Sequence, residues 1–89
     1  MKISIIVPDK MVVVDGVGFE LEDMSFIDSS VHAVQWKDTK GHVEFVEDEN
    51  GIKPLNSAIT DFSPYQPVVD QWQIKKDEWD AMFVPSTVL

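Results

Sequence analysis

Between Val31 and Val46 the chain alternates apolar and polar residues twice, in Val31-His32-Ala33-Val34-Gln35-Trp36-Lys37 and again in His42-Val43-Glu44-Phe45-Val46. Asp38-Thr39-Lys40-Gly41 separates the two runs. A period of two belongs to a strand with one face on a core, and two such runs around a short polar segment predict a β-hairpin. A three-residue loop would set Trp36 opposite Glu44 and mix apolar with charged side chains on both faces. A four-residue loop, Asp38 to Gly41, sets Trp36 opposite Val43, Val34 opposite Phe45 and His32 opposite Glu47. One face then collects Val34, Trp36, Val43 and Phe45, and the other carries Gln35, Lys37, His42 and Glu44 with Ala33 and Val46. A slip of one residue exchanges the faces, so the pattern favours the four-residue loop, with Gly41 supplying the position of positive φ.

A second hairpin is marked by Asp15-Gly16 between Met11-Val12-Val13-Val14 and Val17-Gly18-Phe19-Glu20-Leu21-Glu22. Asp-Gly favours a two-residue type I′ turn, which pairs Val14 with Val17 and Val12 with Phe19. Val12, Val14, Val17, Phe19 and Leu21 then share a face. Before it, Ile3, Ile5, Ile6 and Val7 form a nearly continuous apolar run that reads as a strand buried on both faces. Pro8-Asp9 stops the run far short of a signal-peptide core or a membrane span. Residues 23–30 have no period, but Met24, Phe26 and Ile27 predict a loop folded back onto the core. Asn50-Gly51 suggests a further two-residue turn, with Glu49 opposite Ile52 and Asp48 opposite Lys53. Pro54 makes that arm short and places it at an edge. Ile59 and Phe62 are expected core contacts.

Ser63-Pro64-Tyr65-Gln66 fits a capping box, with Ser63 as N-cap, Pro64 first in the helix and Gln66 three residues after the cap. The alternative start puts Pro67 in the first position. Val68, Val69, Trp72, Trp79, Met82 and Phe83 recur at helical steps, and Lys75 and Lys76 interrupt the stripe beyond Ile74. Trp72 is expected to clamp the helix on the sheet. Burying about 150–250 Å² at about 25 cal/mol/Å² makes it worth at most about 4–6 kcal/mol. The expected fold is α+β: one domain over residues 1–89, with a β-rich part at 1–62, a helical part at 63–83 and a tail at 84–89. A small antiparallel hairpin-rich sheet, curled or folded into a small sandwich, carries one C-terminal helix.

The chain has 89 residues, with Lys+Arg 7 against Asp+Glu 16 and a net charge of −9. That balance repels phosphate backbones, which argues against nucleic acid and suits solubility or a basic protein partner. There are no cysteines, which excludes disulfides and thiolate chemistry. His32 and His42 fall on opposite faces in the four-residue register, so they share neither a metal nor a proton relay. Glu44, Glu47, Asp48 and Glu49 lack the further oxygen ligands that a calcium loop places at fixed spacing. No nucleophile motif and no phosphate loop is present. These residues predict no enzyme, no metal and no cofactor.

The apolar residues of the C-terminus carry the remaining signal. Val68, Val69 and Trp72 suffice to cover a small sheet. Trp79, Met82, Phe83, Val84, Val88 and Leu89 are then a surplus flanked by Asp77, Glu78 and Asp80. They either finish the core or anchor a partner, and an apolar set with a polar rim predicts the partner. Val31-His32-Ala33-Val34-Gln35-Trp36, then Val43-Glu44-Phe45, then Pro67-Val68-Val69-Asp70-Gln71-Trp72 resemble small bacteriophage tail-associated proteins, specifically the N-terminal region of tail-fibre assembly chaperone-like proteins. The opening from Ile3 to Phe19 is similar to the same group. The resemblance implies a structural or assembly protein that binds other phage proteins in an oligomeric assembly, in the virion or the infected host's cytoplasm. Longer members continue into a further helical segment, which puts chaperone activity itself in doubt. The composition leaves a second reading, an acidic inhibitor placed on a basic host surface in the manner of a DNA mimic.

Overall fold

The computed structural model describes residues 1–83, and of Phe83 only the backbone. The chain forms β1 (Lys2–Ile6), β2 (Met11–Val14), β3 (Val17–Glu20), β4 (Val31–Lys37), β5 (Lys40–Phe45) and β6 (Ser57–Ile59). A 3-10 turn, Ser63–Tyr65, leads into helix α1 (Gln66–Phe83). All pairings are antiparallel in one open sheet of order β3-β2-β1-β4-β5-β6. The architecture is α+β, with the single helix packed on one face of the sheet.

Each row of the ladder alternates between the faces. Phe19, Val12, Ile5, Val34 and Val43 align across five strands, and Val17, Val14, Ile3, Trp36, Gly41 and Ile59 align across six. These rows face the core. Leu21, Met24 and Ile27 close it from the loop after β3, and Val68, Val69 and Trp72 close it from the helix. Phe26 remains outside, 46 % exposed. The other face carries the row Gly18, Val13, Ser4, Gln35, His42 and Ala58. Ser4 donates to the Gln35 carboxamide oxygen at 2.5 Å. β1 is therefore fully buried on one face only: Ile3 and Ile5 are enclosed, whereas Ser4 and Ile6 are half-buried, and no described helix or strand crosses the second face.

The Asp15-Gly16 hairpin has the expected register, Val14 against Val17 and Val12 against Phe19. Both turn residues have positive φ, 48° and 85°, as a type I′ turn requires. The central hairpin differs. Its loop is the two residues Asp38-Thr39, with Lys37 opposite Lys40, Trp36 opposite Gly41 and Val34 opposite Val43. The expected faces survive because the two registers differ by two residues, which preserves parity. Positive φ falls on Asp38, at 57°, rather than on Gly41. Asp38 is held there from both sides, its carboxylate on the Met1 amine at 2.6 Å and its N–H donating to the Met1 carbonyl at 2.8 Å. Gly41 serves close approach instead. A Cβ there would overlap the Gln35 carbonyl oxygen and lie 2.9 Å from the Trp36 Cα.

The Asn50-Gly51 arm also closes differently. The Asp48 N–H donates to the Ile52 carbonyl at 2.8 Å, the Gly51 N–H donates to the Asp48 carbonyl, and Gly51 has φ of 76°. That is a three-residue loop ending in a left-handed glycine, with Asp48 opposite Ile52, and residues 52–56 after it form no strand. The edge is formed instead by β6, which pairs Ser57 with Val43 and Ile59 with Gly41.

Ser63 is not the N-cap of an α-helix. Asp61 takes the Ser63 N–H at 2.9 Å and the Ser63 hydroxyl at 2.9 Å, which fixes the 3-10 turn. The Tyr65 N–H bonds the Phe62 carbonyl at 2.8 Å. The α-helix begins at Gln66, so Pro67 sits in its first turn, where its missing N–H costs nothing. Past Ile74 the helix continues to Phe83 despite the broken apolar stripe. Side-chain bonds one turn apart support it, from Gln73 to Asp77 at 2.9 Å and from Lys76 to Asp80 at 2.6 Å.

Candidate interaction surface

Helix α1 packs against β2 and β3 at one side of the sheet. Trp72 is buried and donates its indole N–H to the Val17 carbonyl at 2.9 Å. The Phe19 ring stands edge-on between two indoles, 6.1 Å from Trp72 and 6.0 Å from Trp79. Beyond Trp72 the helix carries large apolar residues into solvent, with Ile74 59 % exposed, Trp79 49 % and Met82 74 %. Of the six residues expected to bind a partner, Trp79 and Met82 lie on this surface. The Phe83 side chain, Val84, Val88 and Leu89 lie outside the described residues.

A shallow recess of about 200 Å³ lies between helix and strand, lined by Phe19, Glu20, Lys75, Glu78, Trp79 and Met82. A second recess of about 260 Å³ lies beside it, lined by Glu22, Gln71, Ile74, Lys75 and Glu78. Lys75 and Glu78 border both, so the two form one groove. Its charged lining is Glu20, Glu22 and Glu78 with Lys75. Phe19 packs against the core, as expected, and its partly exposed ring also walls this surface, together with Glu20 and Ile74. The signal for Ile74 was present: Val68, Val69 and Trp72 already fill the buried face, and Ile74 falls off their arc.

Among the described residues, none pairs with the outer edge of the strand beside the groove. Paired residues in an antiparallel ladder turn their main-chain groups alternately toward and away from the neighbour. Val14 and Val17 close the type I′ turn, and the Leu21 N–H bonds the Lys10 carbonyl at 2.7 Å. Val17, Phe19 and Leu21 therefore address β2, and the N–H and C=O groups of Gly18 and Glu20 point outward. Both residues are exposed.

The other sites are committed to structure. Another recess, of about 570 Å³, lies between the 23–29 loop and Val7 and Lys10. Its carboxylates cap turns: Asp23 accepts the Ser25 N–H and Asp28 the Ser30 N–H, both at 2.8 Å. These bonds lower the pKa of each carboxyl below its ordinary value, as the Ser63 N–H does for Asp61. His42 contacts Glu44 at 3.1 Å on the open face. The expected pairing of His32 with Glu47 is not formed. A register shift lies between Val31 and Ala33, so His32 is displaced from the ladder, and both residues merely border a recess with Phe45, Val46 and Lys53. Among the described residues no group of three or more His, Asp or Glu side chains gathers as a metal site. Among them, too, no helix is long and apolar enough to cross a membrane.

No family model, no curated protein and no solved structure matches the chain.

Proposed function

We propose that this chain is a structural or assembly protein of a bacteriophage, associated with the tail or tail fibre, that acts by binding other phage proteins. It works by contact rather than catalysis and needs no cofactor, small-molecule substrate, nucleic acid or membrane. The observation that carries the binding role is the exposure of Ile74, Trp79 and Met82 along the second half of α1. The phage setting rests on the resemblance of residues 31–36, 43–45 and 67–72 to tail-fibre assembly chaperone-like proteins. An apolar set rimmed by Asp77, Glu78 and Asp80 has the composition of an interface core with a polar border.

Mass spectrometry of purified particles, and of tail-assembly complexes isolated from infected cells, tests the reading. The expected result is the chain in one or both, at a fixed ratio to a tail protein, and its loss on Met82→Asp. Its absence from both, together with recovery on a basic host protein, would replace this reading with the acidic inhibitor.

A further inference from the structure

The groove and the outer edge of β3, unpaired among the described residues, are parts of one surface. Gly18 and Glu20 offer two N–H and two C=O groups in a row, spaced by about 7 Å along the strand. Immediately beside them lies the recess walled by Phe19, Trp79 and Met82. A groove that offers main-chain partners on one side and an apolar wall on the other suits an extended segment, whose backbone joins the sheet while alternate side chains enter the wall. Edge strands are ordinarily protected by lysine, proline, a bulge or a covering element. β3, Val17-Gly18-Phe19-Glu20, has neither lysine nor proline, and its pairing with β2 is regular over all four residues. The opposite edge, β6, is only three residues long.

Charge selects among occupants. Glu20, Glu22 and Glu78 line the groove with Lys75, and Lys10 reaches the Glu22 carbonyl at its border, at 3.2 Å. Three of the chain's lysines stand elsewhere, with Lys2, Lys37 and Lys40 aligned in one row at the far end of the open face. Three carboxylates against Lys75 and Lys10 leave the groove net negative, which favours an incoming cation. A second copy of this chain, of net charge −9, would bring its own Glu20 and Glu22 to the same edge.

We propose that β3 takes a basic, extended segment of a partner protein as an added seventh strand, bonded to the main chain of Gly18 and Glu20, with one apolar side chain seated against Phe19, Trp79 and Met82. This rests on the binding role proposed above and names the form in which the partner is bound.

The test uses the full chain and a set of eight-residue peptides in which lysine alternates with Val, Ile, Leu or Phe. Isothermal titration measures affinity, and amide NMR follows Gly18 and Glu20. Binding is expected for at least one peptide, with slowed amide exchange at Gly18 and Glu20. N-methylation of that peptide at alternate residues should weaken binding tenfold or more in one phase and leave it unchanged in the other. Replacing Glu20 and Glu78 together by Lys should weaken it to a similar extent. Binding that ignores the phase of N-methylation, binding that shifts the amides of β6 instead, or failure of every peptide would each overturn the proposal. So would amide protection of Gly18 and Glu20 in the free chain that vanishes when residues 84–89 are removed, since the edge would then be taken by the chain itself. The two readings fail separately. A chain that joins tail complexes but shows no phase dependence keeps its role and loses this mode of binding. Phase-dependent binding by a chain absent from particles and assembly complexes does the reverse.

Discussion

The indole N–H of Trp72 meets the carbonyl of Val17 at 2.9 Å, joining residues 55 positions apart in the chain. That carbonyl already faces Val14 in the ladder, so the indole uses its second lone pair. One side chain thereby fixes where the helix lies along β3. Trp72→Phe keeps most of the ring and removes the donor. It should cost about 1 kcal/mol, the usual net worth of such a bond. Trp72→Ala also opens a cavity and should cost about 3–5 kcal/mol. Urea denaturation of the two variants checks both magnitudes and their order.

Gly41→Ala should destabilise more than a strand glycine's ordinary conformational preference would suggest. The new methyl would overlap the Gln35 carbonyl oxygen, and backbone has no rotamer by which to yield. The expected loss is about 1–3 kcal/mol, with displaced amide resonances for Gln35 and Trp36. Gly16→Ala meets nothing within 4 Å, and its cost comes from positive φ alone. A smaller loss at Gly41 than at Gly16 would remove the close-approach account.

Acid should weaken the fold through its turn-capping carboxylates. Asp23, Asp28 and Asp61 have pKa values lowered in the folded chain by the serine N–H groups they accept. A lowered folded pKa adds stability above the unfolded value, near 3.9, and that stability is lost as pH falls through the folded value. Thermal midpoints should therefore be insensitive to these groups between about pH 5 and 8 and should fall below about pH 4. The triple variant Asp23→Asn, Asp28→Asn, Asp61→Asn should flatten that acid limb.

Trp79→Ala should separate folding from binding. Its ring contact with Phe19 is an edge-on aromatic pair, worth about 0.5–1.5 kcal/mol beyond area burial. A loss near that size, with native amide dispersion and no recovery of tail proteins, is the expected result. Complete unfolding would place the second half of α1 in the core.

The sheet's faces were legible in the sequence because alternation reports parity, and parity is what burial reads. Register was legible only where the turn announced itself. Asp15-Gly16 did so, whereas Asp38-Thr39 did not, because an aspartate whose carboxylate is bonded to the Met1 amine took the left-handed position expected of Gly41. Alternation cannot distinguish a two-residue loop from a four-residue one. β6 escaped notice because Ser57-Ala58-Ile59 is too short to show a period. The surplus at Trp79 and Met82 could be counted from the helix pattern. The outer edge of β3 could not, because Gly18 and Glu20 contribute backbone groups whose direction depends on pairing and not on residue type.

The strand order carries a consequence in time. Each neighbouring pair in β3-β2-β1-β4-β5-β6 is also consecutive in the chain, except β1 and β4. The sheet is therefore two three-stranded meanders sewn at a single seam. Local pairings close fast and distant ones slowly, because the intervening chain must surrender its freedom first. The seam sets the pace, and until β4 arrives β1 waits with Ile3 and Ile5 on an unfilled edge, open to the wrong neighbour during synthesis. Refolding should slow on Ile5→Val at the seam far more than on Val17→Ala at the outer border, and a chain interrupted after Glu22 should associate rather than remain monomeric.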